Sequence, residues 1–235
     1  MAKDIKTILL TGASKGMGAS MVQTFLEDEK YNYRLILVAR KSDTYLENIK
    51  ILKKRYKNEI FSFFCDLGQP KEVNLLLNEI LAIGHKIDIV INNAGYTNPI
   101  SFLDIEANDF RHTMEVNLIT PFRIIQKLFQ SGNHIEHIVN VASTSGIGAR
   151  PGWLTYASSK AAMISMSDTL RDELSIFGCK VVCISPGRCA TDLRKILAPD
   201  EDPSTIMQPE NVAEVVNFLI SDNGQYITSQ NLIIR

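Results

Sequence analysis

Seven runs of strand length, nearly continuous in apolar residues, punctuate the chain. They are KTILL (6–10), RLILVA (34–39), IFSFFC (60–65), IDIVIN (87–92), HIVNVA (137–142), KVVCIS (180–185) and NLII (231–234). Apolar positions that run on rather than alternate suit strands buried on both faces, as a parallel sheet requires. Amphipathic stretches of helix length fill the intervals, at about 16–29, 44–57, 70–83, 106–130, 155–177 and 209–221. Two of them open at Pro70 and Pro209, and proline suits the first helical turn. The alternation predicts one α/β domain over residues 1–235, with a doubly wound sheet of about seven mostly parallel strands and helices on both faces. The least regular piece, TDLRKILAPDEDPSTIMQ (191–208), follows a strand end and is expected to be a flap over a substrate site.

Composition narrows the class. Apolar residues make up 45% of 235, enough for a sizeable core, and the net charge of −1 argues against a nucleic-acid partner held by bulk charge. No run is long enough for a membrane span or signal peptide, which sets cytoplasmic as the default expectation. Cys65, Cys179, Cys183 and Cys189 do not form a disulfide pattern. The zinc reading of the last three has unsuitable spacing, as does HIEH (His134, His137), so no metal is expected.

Chemistry gathers where strands end. TGASKGMG breaks the first strand into Gly12, Gly16 and Gly18 and leads into a helix. Its spacing is neither Gly-x-Gly-x-x-Gly nor an ATP loop, yet strand, tight glycine turn and helix N-terminus are the parts of a Rossmann-like phosphate site. The bland alternative is a flexible joint. The second strand ends LVARKSD, with Ala39 and Arg40 where an acid would bond a ribose 2′-hydroxyl in an NAD site. Without that acid, Arg40 and Lys15 favour the 2′-phosphate of NADP(H), the alternative being two solvated cations.

YASSK sets Tyr156 and Lys160 one helical turn apart on a common face. A neighbouring ammonium is expected to lower the tyrosine pKa from its reference of about 10. Ser143 ends HIVNVAS, and its hydroxyl could donate to a substrate oxygen. NNAG (92–95), CDL (65–67) and SPGRCAT (185–191) end further strands, so five strand ends converge on one edge.

These motifs resemble the compact, NADP(H)-preferring branch of the short-chain dehydrogenase/reductase family, from Thr7 to about Ile234. The resemblance rests on TGASKGMG, CDL, NNAG, EVNL, the serine thirteen residues before YASSK, and PGRCAT. It implies an NADPH-dependent carbonyl reductase acting on a small ketone, aldehyde or alcohol. Tyr156 would be the general acid and Ser143 would hold the carbonyl oxygen. Lys160 would bond the nicotinamide ribose, and Asn117 would hold a water that relays protons to Lys160. Gly12, Ser14, Lys15, Gly16, Met17, Gly18 and Arg40 would bind the cofactor phosphates, and Asp66 and Leu67 would meet the adenine. Asn93, Ala94 and Gly95 would line the adenosine ribose, while Pro186, Gly187 and Thr191 would bind at the nicotinamide end. Trp153, Leu154 and Tyr96 are candidate pocket walls.

The chain ends QNLIIR, with Ser229 where relatives often have glycine, and lacks the longer tail that helps build one tetramer interface. A homodimer or homotetramer is expected from apolar residues on FRIIQKLFQ and AAMISMSDTL. The alternatives are an NAD-linked alcohol dehydrogenase and a non-catalytic NADP(H)-binding regulator.

Overall fold

All seven apolar runs pair into one sheet. In the computed structural model, which describes residues 5–228 and 231–235, the strands are β1 (Ile5–Thr11), β2 (Asn32–Ala39), β3 (Ile60–Phe64), β4 (Ile89–Asn92), β5 (His137–Val141), β6 (Lys180–Pro186) and β7 (Asn231–Ile234). Their order is β3-β2-β1-β4-β5-β6-β7, and every neighbouring pair is parallel. "Mostly parallel" therefore becomes wholly parallel among the described residues. The order reverses between β1 and β4, which opens a crevice beyond their C-terminal ends.

The helices are α1 (Gly16–Leu26), α2 (Asp43–Arg55), α3 (Pro70–Ala82), α4 (Ala107–Met114), α5 (Thr120–Gln130), α6 (Leu154–Leu174), α7 (Asp192–Leu197) and α8 (Pro209–Ile220). Strand geometry sends successive side chains to opposite faces. In β1, Ile8 and Leu10 pack with α1, α2 and α8, while Leu9 packs with α3 and α5. Those three residues are fully enclosed, which is why the run had to be apolar without interruption. Phe25 of α1 is equally buried and meets Tyr33 edge to face, so the C-terminal end of α1 is anchored at the start of β2. Burying one such ring contributes roughly 2–3 kcal/mol.

Three expected segments differ in detail. The helix expected over 106–130 is α4, a π-helical turn (Glu115–Ile119) and α5, with Asn117 buried in the turn. The helix expected over 155–177 is α6 followed by a 3-10 turn, closed by Gly178 in the left-handed region. The 191–208 segment contains α7 and a short 3-10 turn at Pro203–Thr205. Arg188 and Arg194 both bond Glu201, and Cys189 bridges to Met207, so the segment is fastened at several points.

All four cysteines are free and buried. Burial pushes Cys65 and Cys179 up to about 12, and Cys183 and Cys189 up to about 11, so the thiols stay protonated and pack as small apolar groups. Ser229 lies outside the described residues.

Candidate active site

A cavity of about 220 Å³ follows the crevice along the C-terminal edge of the sheet. The glycine turn forms one wall, with Gly12, Ser14, Lys15, Gly16, Met17 and Gly18 all facing it. Arg40, Asp66 and Leu67 continue from β2 and β3, and Asn93, Ala94 and Gly95 from β4. Tyr156, Lys160 and Thr191 complete the wall from α6 and the segment after β6. Of the other expected site residues, Ser143, Asn117 and Pro186 do not line it, and Gly187 lines a second cavity.

The glycine turn is built by close approach. Gly12 has φ 72°, and a Cβ there would fall 2.8 Å from the Cα of Ala94. A Cβ on Gly18 would fall 2.1 Å from the carbonyl oxygen of Gly12, so the start of α1 lies against the end of β1 with no room for a side chain. Lys15 is the N-cap of α1 but supplies no side-chain cap, and the first turn carries no acid. The leading N–H groups are therefore open to an anion. That chemistry fits a dinucleotide pyrophosphate. Lys15 and Arg40 are exposed, line the cavity and make no ion pair among the described residues.

Sequence reasoning missed the residue that fixes the two cradle strands. Thr11 Oγ1 accepts the N–H groups of Asn93 and Ala94, both at 3.1 Å, and donates to the Ile91 carbonyl at 3.4 Å. Asn93 returns its amide to the carbonyls of Thr11 and Gly12 at 3.0 and 3.2 Å. The side chain of Asn93 thus binds backbone, and its residue reaches the cavity as part of the wall. A threonine ending an apolar strand carries no distinctive pattern, so only the NNAG partner was legible.

At the other end stands the Tyr156 pair. Gly146, in the turn after Ser143, leaves space for a Cβ only at 2.7 Å from the backbone of Lys160 and Ala161. That contact presses the serine loop onto α6 and brings the Ser143 hydroxyl to Tyr156, where its hydrogen bond favours the phenolate. Arg150 acts in the same direction through its charge. Burial outweighs both and raises the Tyr156 pKa above its usual value. This corrects the expected lowering by Lys160. Its ammonium, 5.7 Å from the Tyr156 ring centroid, donates to the Val141 carbonyl at 2.7 Å, and burial brings its own pKa down to about 8.

Asn117 connects this centre to the loop after β4. Its Oδ1 accepts from Tyr96 N–H at 2.7 Å, and its Nδ2 donates to Tyr96 O and Ser159 Oγ, both at 2.9 Å. Ser159 in turn donates to the Tyr156 carbonyl at 2.7 Å. The π turn swings Asn117 inward and α6 is tied to the cavity wall through it. Tyr96 also lines the cavity, stacks edge-on against His112 and donates to Asp109 at 2.7 Å, whereas Trp153 packs edge-on against Tyr156 outside it. Asp66 spends one oxygen on the Gly68 N–H, and Thr191 caps α7 by accepting from Arg194 N–H.

Comparison with known proteins places these features in a lineage. The profile of the short chain dehydrogenase family matches residues 6–202. A curated relative from Rickettsia felis, named 3-oxoacyl-[acyl-carrier-protein] reductase FabG, is 30% identical, with 98% of this chain and 95% of that protein aligned. A protein of the same name from Staphylococcus epidermidis is 27% identical over 98% of this chain and 97% of its own length. Among solved structures, 4-hydroxyisoleucine dehydrogenase complexed with NADH and succinate superposes with TM-score 0.83 at 25% identity, covering 97% of each chain. L-sorbose reductase from Gluconobacter frateurii superposes with TM-score 0.86 at 22% identity, over 97% of this chain and 94% of its own, a likeness of fold.

Proposed function

This chain belongs to the short-chain dehydrogenase family, and from that premise we propose that it is an NADPH-dependent reductase of a small ketone or aldehyde. The observation that carries the reading is one cavity with two differently equipped ends. Tyr156 and Lys160 wall one end, with the Ser143 hydroxyl on Tyr156. Lys15 and Arg40, unpaired cations with Ala39 in place of an acid, wall the other. When bound, the nicotinamide cofactor supplies the hydride.

The chain's own residues supply position and a proton. The open N–H groups of α1 and the glycines receive the pyrophosphate, and Lys15 and Arg40 take the 2′-phosphate. Asp66 and Leu67 meet the adenine, Asn93 to Gly95 line the adenosine ribose, and Pro186, Gly187 and Thr191 bound the nicotinamide end. Ser143 donates to the substrate carbonyl oxygen. Tyr156 gives its phenolic proton to that oxygen as negative charge develops there. A phenol held protonated by burial is in the form that reduction needs. Lys160 orders the nicotinamide ribose, and Asn117 relays protons to it through a water. The names of the curated relatives, which are reductases of a 3-oxo group, support the direction.

The test is NADPH consumption across a panel of ketones and aldehydes, repeated with NADH. Arg40→Ala should lower kcat/KM for NADPH about 10-fold or more, the order of a lost charge-assisted contact, and leave NADH nearly unchanged. Equal losses for both cofactors would remove the 2′-phosphate assignment. Tight NADPH binding with no substrate reduced would favour a non-catalytic binding protein.

A further inference from the structure

A second cavity, of about 260 Å³, opens beside the Tyr156 end of the first. Three arginines, Arg150, Arg188 and Arg235, stand in its wall with Thr144 and Thr205, and among the described residues no carboxylate side chain does. The three come from separate places: the turn leading into α6, the residue two after β6, and the residue after β7. The fold brings them together because β5, β6 and β7 are neighbours with aligned C-terminal ends, and the Gly187 N–H donates to the Ile234 carbonyl at 2.8 Å.

Charge in this cavity is unbalanced. Among the described residues Glu201 is the one acid paired with any of the three, bonding Arg188 at 2.9 Å, and it also serves Arg194. Arg150 makes one long contact, 3.5 Å to Thr144 Oγ1. Neither Arg150 nor Arg235 has an acidic partner among the described residues. The cavity also adjoins the reacting groups. Ser143 stands between Ala142, which walls the cofactor cavity, and Thr144, which walls this one. The charge of Arg150 is felt at the Tyr156 hydroxyl.

We propose that the substrate carries an oxyanion, a phosphate or a carboxylate, which Arg150, Arg188 and Arg235 hold in this cavity while its carbonyl lies between Ser143 and Tyr156. The inference rests on the reductase reading above and names its substrate class. Guanidinium groups bind both oxyanions through paired N–H donors, and the two threonine hydroxyls add further donors. A neutral ketone of equal size would gain none of these charge-assisted bonds, and the exposed guanidinium groups would keep their water.

The experiment compares kcat/KM with NADPH for ketose phosphates, the parent ketoses, 2- and 3-oxo acids, and a neutral 3-oxoacyl thioester. Anionic substrates should exceed their neutral counterparts by at least 100-fold, and whether phosphates or oxo acids lead identifies the anion. In Arg150→Gln/Arg235→Gln, KM for the preferred anion should rise at least 10-fold, with KM for NADPH within twofold of the unsubstituted protein. Inorganic phosphate, titrated calorimetrically into the NADPH complex, should bind the unsubstituted protein and bind the double variant at least 10-fold more weakly. Reduction of neutral carbonyls as readily as anions, or a double variant with unchanged KM and phosphate affinity, overturns the inference and leaves the reductase standing. No reduction of any carbonyl overturns both.

Discussion

Lys160 shows how chemistry and stability oppose each other at one residue. Its ammonium is enclosed, with a pKa of about 8 against an ordinary 10.5. The folded protein therefore binds fewer protons than the unfolded chain between those values, and stability rises with pH across that window. Below pH 8 the fold carries the full burial penalty, about 3 kcal/mol by the size of the shift. Lys160→Met should then unfold at a higher temperature than the unsubstituted protein at pH 7, by about 1–3 kcal/mol of stability, with turnover lost. Thermal unfolding at pH 7 and pH 10 checks it: the advantage should shrink at the higher pH, and a variant less stable at pH 7 would contradict the account. Gly18 makes the opposite case, since the site there depends on an absent side chain. Gly18→Ala must move α1 away from Gly12 O, at a cost of about 1–3 kcal/mol, and should weaken NADPH binding more than it lowers the melting temperature. Calorimetric titration beside thermal unfolding separates the two. These residues were legible because glycine in a turn and Tyr-x-x-x-Lys on a helix carry their spacing in the sequence. The Tyr156 pKa was not, because burial and the Val141 acceptor for Lys160 depend on residues brought in from β5.

At the scale of elements, apolar runs identified every strand, and Pro70 and Pro209 marked two helix starts correctly. The π turn between α4 and α5 left no such mark. Its five residues keep a helical hydropathy pattern, and only the tertiary bonds of Asn117 reveal the inserted turn. Asn117→Ala would leave Ser159 its bond to the Tyr156 carbonyl but take away the partner of both the Tyr96 N–H and the Tyr96 carbonyl, costing about 1–3 kcal/mol. Its kcat should fall with KM for NADPH little changed, as steady-state kinetics would record. The apolar residues of α5 had suggested an interface between subunits. Ile124, Ile125 and Leu128 are instead core, and Phe122 is the large one left exposed. The 191–208 segment had been expected from its prolines and acids. What the sequence did not disclose is that Glu201 joins Arg188 to Arg194 and so steadies the wall shared by both cavities.

For the whole molecule, the parallel sheet decides where the chemistry lies. Small and polar residues at the strand ends were enough to anticipate which residues line the cavity, because a parallel sheet carries those ends to one edge. The arginine cavity was not legible, since Arg150, Arg188 and Arg235 look like solvated surface charges until β5, β6 and β7 align. The opposite edge has its own consequence. His137, at the start of β5, is held near pKa 4 by burial and by Lys180 and Lys6. The unfolded chain takes up this proton near pH 6.5, so stability present above that pH is lost as pH falls toward 4. His137→Gln should remove about 2 kcal/mol of that acid sensitivity, after allowing for partial exposure, as urea unfolding at pH 7 and pH 4.5 would show. The central claim concerns the other edge: Tyr156 is the proton donor in a site that binds NADPH. Its most direct test is Tyr156→Phe, with turnover and NADPH affinity measured on the same preparation. The account predicts turnover reduced at least 10³-fold with NADPH affinity within about threefold. Turnover retained within tenfold would contradict it.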